Sequence, residues 1–159
     1  DRVAAVTCGC DADWIVNVQG DEPLMRGEFL DAFVSSLGDG DMATLARRIT
    51  DPEDVVNPNV VKVVTDLQGR ALYFSRSPLP YRRGDGEAPD YWQHLGIYAY
   101  RPAILQRLVR LQPSPLEKTE RLEQLRALQN GIAIQVLPTT LESVGVDTPA
   151  DLQRVLHYF

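Results

Sequence analysis

The chain of 159 residues is long enough for one domain with a sizeable core and short for two. Its 16 basic and 22 acidic side chains leave a formal charge of −6, which argues against a general binder of nucleic-acid backbones and against an anchor on anionic membranes. Hydrophobic residues make up 44% and charged residues 24%, a globular balance that excludes a disordered tail, and no run reaches the ~20 apolar residues of a membrane span.

In chain order, Cys8 and Cys10 come first, one residue apart. That spacing bridges badly, so a structural disulfide is not expected. With only His94 and His157 besides, a zinc site of the usual four ligands is excluded. The chemistry must then rest on carboxylates, amides, arginines and tyrosines. The cysteine usage fits a reducing compartment.

Residues 13–23, DWIVNVQGDEP, predict an apolar strand running into a polar turn. Gln19 and Asp21 share parity there, so they face one side at the carboxyl end of a strand, where open α/β sheets place ligands. A strand end with ordinary turn residues explains the same letters. Residues 26–37 predict a helix ended by Gly38, and 42–49 a strand. Asp51-Pro52 reads as a helix start. Two β-rich runs, VVKVVTD and RALYFSR, flank Gln68-Gly69 and predict a hairpin.

Residues 77–90 form a loop by composition. Arg76, Arg82 and Arg83 flank its prolines; arginine grips carboxylates and phosphates bidentately, though exposed arginines are common. HLGIYAYR (94–101) alternates as a strand, with His94, Gly96, Tyr98 and Tyr100 on one face and Leu95, Ile97 and Ala99 on the other. A polar face with a glycine gap suits a binding site; a half-buried strand with a satisfied histidine fits as well.

Residues 102–112 and 116–130 predict two helices separated by Pro113 and Pro115. On the second, Leu122, Leu125 and Leu128 form an apolar stripe, and Glu120, Glu123 and Gln124 lie within roughly 100° on the other side. That acceptor cluster suits a polyhydroxylated ligand, or is a solvated face with local pairs such as Glu117–Arg121. Residues 132–138 predict a strand, and Thr148-Pro149 a last helix. Asp147 before that helix has a reason in the helix dipole alone; brought beside Asp21 it would complete an oxygen-ligand site of the kind Mg²⁺ uses. The mixture of strands and helices with one hairpin indicates an α/β layered sheet in a single domain, 1–159.

In this order, VNVQGDEP, NPNVVKVV, ALYFSR, HLGIYAYR, SPLEKTERLEQLR and GVDTPADL resemble the 3-deoxy-manno-octulosonate cytidylyltransferases, the CMP-Kdo synthetases, along essentially the whole chain. The resemblance implies a Rossmann-like three-layer α/β/α nucleotidyltransferase fold with a mixed sheet, in a cytoplasmic homodimer. It implies transfer of CMP from CTP to 3-deoxy-manno-octulosonate, with release of pyrophosphate, for lipopolysaccharide synthesis. It gives Asp21 and Asp147 the binding of Mg²⁺. It gives Gln19, Arg76, His94, Tyr98, Glu123 and Gln124 the sugar pocket, with Arg83 a weaker member.

The family's amino-terminal segment, with its Arg/Lys-Gly loop for the triphosphate and a later Ser-Gly-Thr run, is absent from this sequence. Asp1-Arg2 resembles the end of that run, with Arg2 as its arginine. The expectation is therefore a carboxyl-terminal portion of a synthetase, inactive toward CTP by itself. A non-catalytic sugar-binding or dimerisation module, and a cytidylyltransferase for another acidic sugar such as sialic acid, are the alternatives.

Overall fold

A computed structural model describes residues 2–20, 25–84, 86, 88–140, 153 and 156. From the amino end the elements are α1 (Arg2–Val6), β1 (Ile15–Asn17), α2 (Gly27–Ser35), β2 (Met42–Arg48), α3 (Pro52–Val56), β3 (Lys62–Thr65) and β4 (Ala71–Ser75). Then come β5 (Trp92–Tyr100), α4 (Pro102–Leu108), α5 (Pro115–Glu120), α6 (Gln124–Gln129) and β6 (Gln135–Pro138). Asp21 and Asp147, and the last helix expected from Thr148, lie outside the described residues.

The described strands form one sheet in the order β4-β3-β5-β2-β6, with β1 also paired to β5. The β2–β6 pair is parallel, and the remaining pairs are antiparallel. Strand β2 is buried at five successive positions, Met42 to Ala46, as expected of an inner strand covered on both faces. One face of the sheet carries Ala43, Leu45, Leu95, Ile97 and Ala99 and packs against Phe33, with Phe29 and Leu37, from α2 and its end. The other carries Met42, Ala46 and Tyr98 and packs against Leu122, Leu125 and Ala127 around α6, with Ile104 and Leu108 of α4. Helices on both faces make three layers, α/β/α with a mixed sheet.

The alternation of β5 falls out as its residues require. Leu95, Ile97 and Ala99 enter one core, and Tyr98 enters the other with Tyr100 packed beside it. The hairpin forms between β3 and β4. Its turn is held by Asp66, whose Oδ1 accepts from the backbone N–H groups of Gln68 and Arg70, both at 2.9 Å. Gly69 takes the positive φ of 75° that the turn requires. Helix α3 starts where Asp51-Pro52 predicts, with Asp51 Oδ1 accepting from Glu53 N at 2.9 Å.

The expected single helix over 116–130 is two helices. Arg121 adopts a left-handed backbone, φ 54° and ψ 49°, and ends α5. Leu122 N donates back to Glu117 O at 3.2 Å, and Leu125 N opens the next turn on Leu122 O at 3.1 Å. A non-glycine residue in that conformation costs roughly 1 kcal/mol. The break is offset by what it buries: Leu122 drops to 6% exposure in the core. Glu117 pairs with Arg126 across the bend, not with Arg121, and also accepts from Ser114 N at 2.9 Å.

Candidate active site

The site grows from the way β5 is flanked. Strand β1 pairs with its carboxyl end at Tyr98–Tyr100. Strand β3 meets its beginning at Gln93, where His94 N donates to Val61 O at 2.8 Å. Between these contacts β1 and β3 part, and the middle of β5 faces a fork. Gln19, two residues beyond β1, lays its side chain over Gly96. A Cβ on Gly96 would stand 3.1 Å from both Cδ and Oε1 of Gln19, closer than ordinary packing allows, so the glycine gap is occupied by this amide.

On the opposite edge, β2 and β5 slip in register. Thr44 lies across from Tyr98 but Leu45 across from Leu95, so Gly96 and Ile97 are extra on β5. Thr44, fully buried, ties the irregularity together. Its hydroxyl donates to Ile97 O at 2.8 Å and lies 3.2 Å from Leu95 O, and it stands 3.1 Å from Nε2 of His94. Sequence reasoning missed Thr44; the available signal was a lone hydroxyl in an otherwise apolar stretch of strand.

His94 and Tyr98 share the face turned toward α6. Their ring centroids are 5.2 Å apart, Tyr98 stacks on Tyr100 at 5.8 Å, and the edge of Phe74 meets His94 at 5.1 Å. His94 retains a partly exposed edge, yet loss of hydration pushes its pKa down to about 3. The ring is therefore neutral at physiological pH. The Tyr98 hydroxyl is buried with no hydrogen-bond partner among the described residues. Burial, then Tyr100 and the carboxylate of Glu123, hold its pKa well above the usual phenol value. Burial and Glu123 act on Tyr100 in the same direction.

The bend between α5 and α6 redistributes the expected acceptor cluster. Glu123 is exposed at the start of α6, close enough to the two tyrosines to act on both. Gln124 is buried. Glu120 turns in toward the end of β4, where its carboxylate accepts from Ser75 Oγ at 2.7 Å and from Arg76 N at 3.0 Å. Arg76 is itself anchored: Nε donates to Glu120 O at 2.8 Å and Nη1 to Pro58 O at 2.9 Å. Its remaining guanidinium N–H groups are the ones left for a ligand. Beneath it, the buried Lys62 ammonium donates to the carbonyls of Asn57, Val60 and Arg76 at 2.9, 2.6 and 2.8 Å. Its pKa is lowered by burial and then by the Arg76 charge.

The structure thus brings Gln19, His94 and Tyr98 together at the fork, with Glu123 beside the tyrosines, and fixes Arg76 at the end of β4. Arg2 is exposed at the start of α1, and Arg83 is exposed in the 77–90 loop. Among the described residues no cluster of three or more His, Cys, Asp or Glu side chains offers a metal site, and no helix is long and apolar enough to cross a membrane.

Three layers around a mixed sheet, with polar side chains gathered where strands part, define an open α/β/α protein with a candidate ligand site on its central strand. HddC from Yersinia pseudotuberculosis shares the fold at TM-score 0.67 and 14% identity, over 99% of this chain and 60% of its own. The family model described as "Cytidylyltransferase" matches residues 1–134, and the chain belongs to that family. It is 51% identical to the 3-deoxy-manno-octulosonate cytidylyltransferase of Solibacter usitatus, over 100% of this chain and 64% of that protein. It is 49% identical to the protein of the same name from Chloroherpeton thalassium, over 98% and 65%. It also superposes on a CMP:2-keto-3-deoxy-manno-octonic acid synthetase complexed with CTP, with TM-score 0.89 and 38% identity, over 99% of this chain and 66% of that one. The chain spans a little under two thirds of the length of these relatives.

Proposed function

We propose that this chain is the sugar-binding part of an enzyme that transfers CMP from CTP to 3-deoxy-manno-octulosonate. The oxygen of the sugar's anomeric hydroxyl attacks the α-phosphorus, the bond to pyrophosphate breaks, and the hydroxyl proton passes to solvent water. The observation that carries the reading is the fork along β5. There a buried Tyr98 hydroxyl with no hydrogen-bond partner among the described residues, a neutral His94 and the Gln19 amide converge in a chain about half identical to proteins of that name.

Each residue has a role suited to its chemistry. Gln19, His94 and Tyr98 bind and orient the sugar hydroxyls, and Gln124 and Glu123 complete the acceptor set. The free N–H groups of Arg76 face the sugar carboxylate. Arg2 reaches the nucleotide. A ring that stays neutral to about pH 3 is a poor base at neutral pH, so His94 positions the sugar and does not take its proton. Asp21 and Asp147 would hold Mg²⁺, an ion that suits carboxylate ligands. When bound, Mg²⁺ neutralises charge on the phosphates and lowers the pKa of the attacking hydroxyl. The rest of the catalysis is alignment of the two substrates. The enzyme works as a cytoplasmic homodimer.

The test is pyrophosphate release by the protein expressed from its full reading frame, with CTP, 3-deoxy-manno-octulosonate and MgCl₂. The expected result is stoichiometric pyrophosphate and CMP-sugar, abolished by EDTA and by Asp147→Asn with little change in melting temperature. No pyrophosphate with this sugar, or unchanged turnover in Asp147→Asn, would overturn the substrate or the metal assignment respectively.

A further inference from the structure

Thr44 carries a fully buried hydroxyl in contact with the candidate site, and the proposed reaction gives it no direct role. Its hydrogen-bond arithmetic fixes more than packing. A threonine hydroxyl has one proton to give and lone pairs with which to accept. The carbonyls of Ile97 and Leu95, at 2.8 and 3.2 Å, can only accept, so the Thr44 proton is committed to them. Toward His94 Nε2, at 3.1 Å, the same hydroxyl is left only as an acceptor. The proton on a neutral His94 ring must then sit on Nε2, which leaves Nδ1 with a bare lone pair.

We propose that Thr44 is a positioning residue that locks His94 in the Nε2–H tautomer, so that Nδ1 presents a hydrogen-bond acceptor to a ligand hydroxyl. The partner of a histidine's second nitrogen decides which face of its chemistry a site sees. Two features make this lock stiff. Thr44 is 0% exposed, so water does not compete for its lone pair. The carbonyls that hold its proton belong to the irregular stretch of β5 itself, where Gly96 and Ile97 are extra against β2. The same irregularity that opens the Gly96 gap for Gln19 supplies the acceptors that orient Thr44. Burial supports the picture from another side: it pushes the His94 pKa down to about 3, so the doubly protonated ring, which would offer no acceptor, is absent at neutral pH.

The consequence for recognition rests on the function proposed above. A site with an acceptor at Nδ1 and a phenol at Tyr98 selects a ligand that donates a hydroxyl to the imidazole. A ligand with an ether or keto oxygen at that position meets lone pair against lone pair and is rejected.

The tautomer is read by ¹⁵N NMR of the imidazole nitrogens in the uniformly labelled full-length protein at pH 7, with the His94 signals assigned by their loss in His94→Gln. In the wild type the His94 proton is expected on Nε2, with Nδ1 unprotonated. In Thr44→Val, close in shape but unable to accept, the Nε2–H preference should be lost, and Thr44→Ser should restore it. In the cytidylyl-transfer assay, Thr44→Val should raise the KM for 3-deoxy-manno-octulosonate roughly tenfold, the effect of one lost hydrogen bond. KM for CTP should stay within about twofold, and Thr44→Ser should return the sugar KM toward wild type. An Nδ1–H tautomer in the wild type, or an unchanged Nε2–H tautomer in Thr44→Val, would overturn the proposal. If Thr44→Val fails to fold, the wild-type and Thr44→Ser spectra still decide it. If the protein transfers no CMP, the function proposed above fails while the NMR result still judges the lock.

Discussion

Tyr98 carries a hydroxyl that folding strips of water without supplying a protein partner among the described residues. Such a group costs roughly 1–3 kcal/mol, and a cost of that size is retained where a ligand repays it. His94 shows a related tension in its charge. Its folded pKa of about 3 lies below the ordinary 6.5 of an unfolded histidine. Below pH 6.5 the unfolded chain therefore binds a proton that the folded chain refuses. Stability is whole above about pH 6.5 and is lost as pH falls toward 3, by up to about 1.4 kcal/mol per pH unit. Urea midpoints between pH 7 and 5 should fall in the wild type, and the fall should be shallower in His94→Gln. Identical slopes would show that the ring is not desolvated as described.

At the scale of elements, the break at Arg121 is the feature that most affects the site, because it sends Glu120 toward β4 and leaves Glu123 beside the tyrosines. The left-handed conformation of Arg121 ranks replacements there in a way a continuous helix does not. Arg121→Gly should be about 1 kcal/mol more stable than Arg121→Ala, because glycine enters that conformation without a Cβ penalty. An unbroken helix through 121 would reverse the order by a similar amount. Denaturant midpoints of the two variants decide between them.

Most of the other elements were legible in the sequence because local chemistry and tertiary need agree there. Asp51-Pro52 caps α3, Asp66 and Gly69 close the hairpin, and β5 alternates between two cores. The α5–α6 break was not legible: TERLEQ contains no glycine or proline, and the bend is imposed by burial of Leu122 and by the Glu117–Arg126 pair. The β2–β5 slip was equally silent, since it depends on partners about fifty residues apart. Of the site, the polar face of HLGIYAY was visible as a pattern. Thr44 was not, because its importance lies in which carbonyls surround it.

At the scale of the whole molecule, one sheet does two jobs. Its inner strands, β2 and β5, carry the buried residues that join the helical layers. Where β1 and β3 part along β5, His94 and Gly96 of that same core strand stay partly exposed. A site built on the middle of a core strand is held more rigidly than one built on loops, which suits the proposed transfer, where catalysis would be mainly alignment. The net charge of −6 makes general attraction to anions weak, so the proposed acidic sugar would be recognised by placed groups such as Arg76 rather than by the overall field.

The central claim is that this fork is where the acceptor sugar binds. The measurement that meets it most directly is the dependence of the pyrophosphate-release rate on 3-deoxy-manno-octulosonate concentration, at saturating CTP, for wild type and Tyr98→Phe. Removing the buried hydroxyl should raise the sugar KM by roughly tenfold or more, in a protein at least as stable as the wild type. Superimposable curves for the two proteins would mean that the sugar does not meet Tyr98 and that the fork along β5 is not its site.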